Sequence, residues 1–142
     1  MTATETPAAD NFWADAEIIH SYTRAQALAD GELVDVTETA KEAGFRHPVA
    51  MTRAAYADLV SWNDKNAAYQ DVSGRLWDVL YMGMFAIKRG AQPDSRNTIT
   101  YGMLRVPNTP RAHEPRNVEV RLAVGPGDNA EPVMTIMLPG ED

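Results

Sequence analysis

The 142-residue chain contains no cysteine. That absence removes a disulfide framework, Cys-based zinc sites and a Cys nucleophile in one step, and it fits a reducing compartment. Histidine is scarce. His20, His47 and His113 share no ligand spacing, and neither H-E-x-x-H nor His-x-His occurs, so only long-range assembly could build a metal site from them. Serine is scarce too: Ser21, Ser61, Ser73 and Ser95 all stand outside a G-x-S-x-G context. No apolar run is long enough to span a bilayer, since the longest, Leu76 to Ile87, is short and interrupted by Asp78. The first residues, "MTATETPAADNFW", have no positive n-region and no apolar h-region. These absences predict a cytoplasmic protein without membrane engagement, and no motif calls for a cofactor.

What is present suits one globular domain. The length matches a single domain, and a hydrophobic content of 44% is enough to bury a real core. The net charge is −7, unevenly placed. Glu5, Asp10, Asp15 and Glu17 near the start, and Asp128, Glu131, Glu141 and Asp142 near the end, have no bases among them. Residues 88–121 carry seven bases (Lys88, Arg89, Arg96, Arg105, Arg111, Arg116, Arg121) against three acids, a balance of +4. Acidic ends therefore flank a basic stretch. Solubility explains this pattern, and so does steering of a partner of opposite sign.

Residues 1–11 are small, polar and proline-containing, which predicts a disordered leader, with Phe12 and Trp13 marking where packing begins. The expected single domain is 12–142. Glu17 to Tyr22 is a short strand candidate. Thr23 and Gln26 are spaced as a capping box, and Gly31 supplies a left-handed stop. Leu33–Val36 reads as a second strand, followed by a helix capped by Thr37 or Thr39 and ended by Gly44. Residues 47–52 form a third extended piece, and Thr52 caps a helix over 53–62. Residues 63–74 are turn-rich. Ser73 then caps a main helix over 74–89, with Gly90 as its stop. This helix is apolar nearly all round, which predicts a buried central core helix containing a buried Trp77. "TITYGMLRV", "VEVRLAV" and "PVMTIML" are three strands separated by turn chemistry, the second alternating as a half-buried antiparallel strand does. Helices segregate from a mostly antiparallel sheet. The expected fold is α+β, with short N-terminal βα units and a central helix packed on a C-terminal three-stranded meander.

Candidate chemistry is thin. Asp35, Glu38 and Glu42 could share a helix face and do acid/base or cation work, but Lys41 sits among them and the carboxylates suit a solvated first turn. "AVGPGDNAEP" follows a strand with two glycines, yet Pro126 removes a donor and another strand follows, so it reads as a hairpin loop and not a phosphate cradle. Arg105, Arg111, Arg116 and Arg121 lie on or between two strands, with Arg105 and Arg121 expected on the wet face. Such a surface can contact phosphates, but few exposed aromatics interleave and no nucleic-acid motif appears.

"SYTRAQALADGELVDVTETAKEAGFRHPVAMTRA", "SGRLWDVLYM" and "GPGDNAEPVMTIMLPGED" resemble a family of small proteins of unknown function scattered in bacterial genomes, plasmids and phages. The resemblance implies a mobile-element context and no catalytic residues. The leading expectation is a non-enzymatic protein that binds a host or element-encoded protein, as an anti-defence factor would. Its candidate surface is Arg105, Arg111, Arg116 and Arg121 together with Glu141 and Asp142. A second expectation is a small enzyme or ligand-binding domain, with a pocket between the N-terminal βα units and the central helix lined by Tyr22, Arg24, Asp35 and Trp77. A third is a nucleic-acid accessory protein using the arginines at 105–121.

Overall fold

The computed structural model describes residues 22–63, 65, 66, 68, 70–95 and 97–141. The leader, Phe12 and Trp13, most of the strand expected at Glu17–Tyr22, His20, Ser21 and Asp142 lie outside the described residues. In chain order the elements are α1 (Arg24–Asp30), β1 (Leu33–Asp35), α2 (Thr37–Ala43), β2 (Val49–Thr52), α3 (Arg53–Leu59), α4 (Val72–Lys88), β3 (Thr98–Arg105), β4 (Arg116–Pro126) and β5 (Pro132–Met137).

Local chemistry sets most of these boundaries. Gln26 N donates to Thr23 Oγ1 (3.0 Å) and Thr23 N donates to Gln26 Oε1 (2.9 Å), which completes the expected capping box. Asp128, from the loop between β4 and β5, also accepts from the α1 amides of Arg24 (2.8 Å) and Ala25 (3.0 Å). Gly31 and Gly44 end α1 and α2 at φ +81° and +109°, where a side chain is strained. Thr52 caps α3 through Ala55 N (3.1 Å). Two expected caps differ. Asp71, not Ser73, caps α4 by accepting from Gly74 N (2.6 Å), so the helix begins two residues earlier. Neither Thr37 nor Thr39 caps α2; its N-cap is Val36, without a side-chain bond. The Thr37 hydroxyl is engaged elsewhere, donating to Asp35 Oδ1 (2.6 Å) and accepting from Val49 N (3.1 Å), which ties the start of α2 to β1 and β2.

The strands form one five-stranded mixed sheet in the order β1-β2-β5-β4-β3. The pairs β3–β4 and β4–β5 are antiparallel, as a meander requires. The meander is not a separate sheet, however. The antiparallel β1–β2 hairpin joins it through a parallel β2–β5 ladder, Val49 opposite Met134 and Met51 opposite Ile136. On one face Met51, Ile136, Leu122, Val120 and Tyr101 are buried against Ala40, Leu59, Val79 and Leu80 from the helices. The architecture is therefore a single α+β domain with most of its helices on one sheet face. Gly83 lets α4 approach the sheet: a Cβ there would lie 3.1 Å from the Tyr101 hydroxyl, which donates to Val79 O at 2.8 Å.

The expectation of a fully buried α4 is corrected. Arg75, Val79, Leu80, Gly83 and Ala86 form its buried face, but Trp77, Tyr81 and Phe85 on the other side are 37%, 50% and 47% exposed. One sheet face and two short helices cannot surround a helix of 17 residues, so its second apolar stripe faces outward.

Candidate functional site

Alternation along β3 and β4 fixes where the arginines go. Arg105 lies opposite Arg116 and shares the parity of Tyr101 and Val120, which is the helix-covered face. Arg121 lies opposite Thr100 and points to the other face. The two therefore do not share a wet face, as the sequence had suggested. Arg105 donates to Asp58 across a 3.0 Å ion pair, while its Nε has no hydrogen-bond partner among the described residues. Arg121 donates to Glu141 O at 3.2 Å. Arg111 and Arg116 line a cavity of about 200 Å³ with His113 and Glu114 in the β3–β4 loop. Glu141 is drawn inward: its Oε2 accepts from Thr52 Oγ1 (2.9 Å) and from Leu138 N (2.7 Å).

The proposed pocket quartet is divided between the two faces of the sheet. Arg24 donates to Thr135 Oγ1 (2.9 Å) and Met134 O (2.8 Å) on the face away from α4, and Asp35 stands on that same face by register. Burial pulls the Arg24 pKa down, and the Asp128 and Asp35 carboxylates oppose that shift. The Tyr22 hydroxyl is exposed and donates to Asp30 Oδ2 at 2.7 Å, a bond that raises its pKa. Trp77 belongs to α4 on the opposite side of the sheet. None of the four lines the cavities described here.

The polar centre that sequence reasoning missed is Arg75. It is 4% exposed, and its guanidinium donates to Val60 O (3.1 Å), Val106 O (2.8 Å) and Asp58 O (3.2 Å) while lying 4.7 Å over the Trp62 ring. It thereby ties the end of α3 and the end of β3 to the first turn of α4. Burial lowers its pKa, and neighbouring Arg105 adds to that. Asp78, one turn further along α4, has its pKa raised by burial, partly offset by Arg75.

The C-terminal half of α4 and the free edge of β3 then enclose a second cavity of about 220 Å³, with Met82, Phe85, Ala86 and Arg89 on one wall and Thr100, Tyr101 and Gly102 on the other. The Arg75 end holds a cavity of about 150 Å³ that also includes Asp78 and Met103–Val106. A groove therefore runs between α4 and β3 with a cavity towards each end. Outside it, Trp77 and Tyr81 stack at 5.9 Å and Arg89 lies 5.7 Å over Phe85. The spacing Trp77, Tyr81, Phe85 (i, i+4, i+8) was the sequence signal for this aromatic face. Among the described residues no cluster of three His, Asp or Glu could hold a metal ion, and no helix is long and apolar enough to cross a membrane.

No curated protein and no solved structure matches the chain. One family model does, that of a family of unknown function (DUF6573), and it covers residues 9–142, nearly the whole sequence. The chain belongs to that family.

Proposed function

We propose that the protein is a non-enzymatic binding module that engages another polypeptide through the outer face of α4. The observation that carries this reading is the aromatic stripe Trp77, Tyr81 and Phe85, held rigidly on a long helix and left in solvent. Exposed Trp and Tyr on a fixed element supply large contact area at little entropic cost, and they are the residue types that anchor protein interfaces. Arg89, over the Phe85 ring, borders the stripe, which suits a partner with an acidic group. The mobile-element context implied by the sequence resemblance makes a host or element-encoded protein, defence effectors included, the partner class to test first.

The test is an affinity capture from host lysate, with and without nuclease treatment, using the native chain and Tyr81→Ala. The expected result is a protein enriched under both treatments and lost with Tyr81→Ala at unchanged melting temperature. Enrichment that vanishes with nuclease, or that ignores Tyr81→Ala, would overturn the reading.

A further inference from the structure

We propose that the free edge of β3 is a docking site for an extended, acidic peptide, which adds to the sheet as a further strand and sends alternate side chains into the groove beside α4. This rests on the polypeptide-binding reading above and names how the bound segment is held.

The edge is open beyond its first turn, where Asp94 N donates to Thr98 O (2.8 Å) and the Asp94 carboxylate accepts from Thr100 Oγ1. β3 ends the sheet order, and no described strand pairs on its outer side. Val124 N donates to Asn97 O (2.9 Å), which makes 97–124 a hydrogen-bonded pair. Antiparallel alternation then turns Ile99, Tyr101, Met103 and Arg105 towards β4, and leaves the N–H and C=O groups of Thr100, Gly102 and Leu104 facing outward. Exposed edges are usually blunted by proline, lysine or inward charge. Thr98–Arg105, eight residues long, contains no proline, no lysine and no charge before Arg105. At Gly102 a Cβ would meet nothing within 4 Å.

The groove supplies selectivity. Alternate residues of an added strand stand opposite Tyr101, Met103 and Arg105 on the helix side, about 7 Å apart. One enters the cavity floored by Met82, Phe85 and Ala86, which accepts a large apolar side chain, and Arg89 is the one charged residue lining it. Charge selects the partner. The charged residues lining the groove's two cavities are Arg75, Arg89 and Arg105 against Asp78, so an acidic peptide is attracted. A second copy of this chain, meeting edge to edge, would bring two such basic linings together.

Selection from a phage-displayed library of random linear peptides, on the full chain, supplies the probe. Selected peptides should carry an apolar anchor flanked by acids. When bound, they should slow amide exchange at Thr100, Gly102 and Leu104. N-methylation of the peptide amides that face β3 should weaken binding at least about tenfold, while methylation one residue along should not. Gly102→Pro, which removes an outward donor that no described group uses, should give a similar loss. Binding that ignores N-methylation and Gly102→Pro but is lost with Tyr81→Ala overturns strand addition and leaves the α4 reading standing. Failure to select any peptide, or a solution dimer that Gly102→Pro dissolves, also overturns it, and the lysate capture then decides the α4 reading separately.

Discussion

The Arg75 guanidinium directs three donor nitrogens at backbone carbonyls that would otherwise end unpaired beside the core, at Asp58, Val60 and Val106. A buried acceptor left without a donor costs about 1–3 kcal/mol, partly recovered where water can enter. Arg75→Met should therefore cost roughly 2–4 kcal/mol in urea unfolding. A cost below about 0.5 kcal/mol, the usual size of a surface change, would show the clasp to be idle. Asp78 works in the opposite direction. Partial desolvation at the helix surface raises its folded pKa, so the folded state binds the proton more tightly than the unfolded chain does. Its contribution is favourable at low pH and is lost as pH rises through the raised value. Asp78→Asn should then raise the melting temperature at about pH 7, and the gain should disappear near pH 3, below the ordinary carboxylate range. An equal gain at both pH values would mean that charge is not the cause. Neither residue could be recognised from the sequence. Apart from Gln70 Oε1 (3.3 Å), Arg75 bonds to backbone carbonyls, which every residue carries, so those partners leave no trace in the residue pattern.

Elements that close on themselves were legible. The Thr23–Gln26 box, the Thr52 cap and the stops at Gly31, Gly44 and Gly90 are short-range bargains between near neighbours, and the structure has them where the residues put them. Side chains with a choice of distant partner were not. Thr37 serves β1 and β2 instead of its own helix, and the acids near the chain's end, read from the sequence as solubilising or partner-steering charge, partly serve the fold: Asp128, though exposed, caps α1 from 104 residues away. Asp128→Ala should therefore cost about 0.5–2 kcal/mol, the range for a lost N-cap, although nothing next to it in sequence is a helix. Indifference to that change would show that the two bonds add nothing to the Thr23 cap. On α4 the inference from apolar to buried failed because it runs one way only. Leu80, fully buried, should cost about 2–5 kcal/mol on truncation to Ala. Trp77→Ala should stay within about 1 kcal/mol, with Tyr81 as its chief ring contact. Equal costs at the two positions would mean that the outer stripe is covered after all.

At the scale of the molecule, the decisive contact is the parallel ladder between β2 and β5. The three C-terminal strands announced themselves by alternation and by turns, which are local. That β2 would lie against β5 was not legible, because pairing Val49 with Met134 depends on how all the intervening helices stack. This ladder makes β5 a central strand with a neighbour on each side, so the N-terminal hairpin and the meander share one core and have no separate hydrophobic interior. Ile136 sits where they meet, opposite Met51 on one side and Leu122 on the other, and is fully buried. Ile136→Ala should cost about 2–5 kcal/mol. Because both halves lose the same contact, the loss should appear as a single shifted transition, with far-ultraviolet circular dichroism and tryptophan fluorescence moving together. If the fluorescence transition, read in a Trp13→Phe background so that it reports on Trp62 and Trp77 beside α4, stayed in place while the sheet signal moved, the helices and the sheet would be unfolding independently. The groove between α4 and β3 would then be a hinge between two units, and a peptide held across it would have to be measured by how far it raises the lower transition.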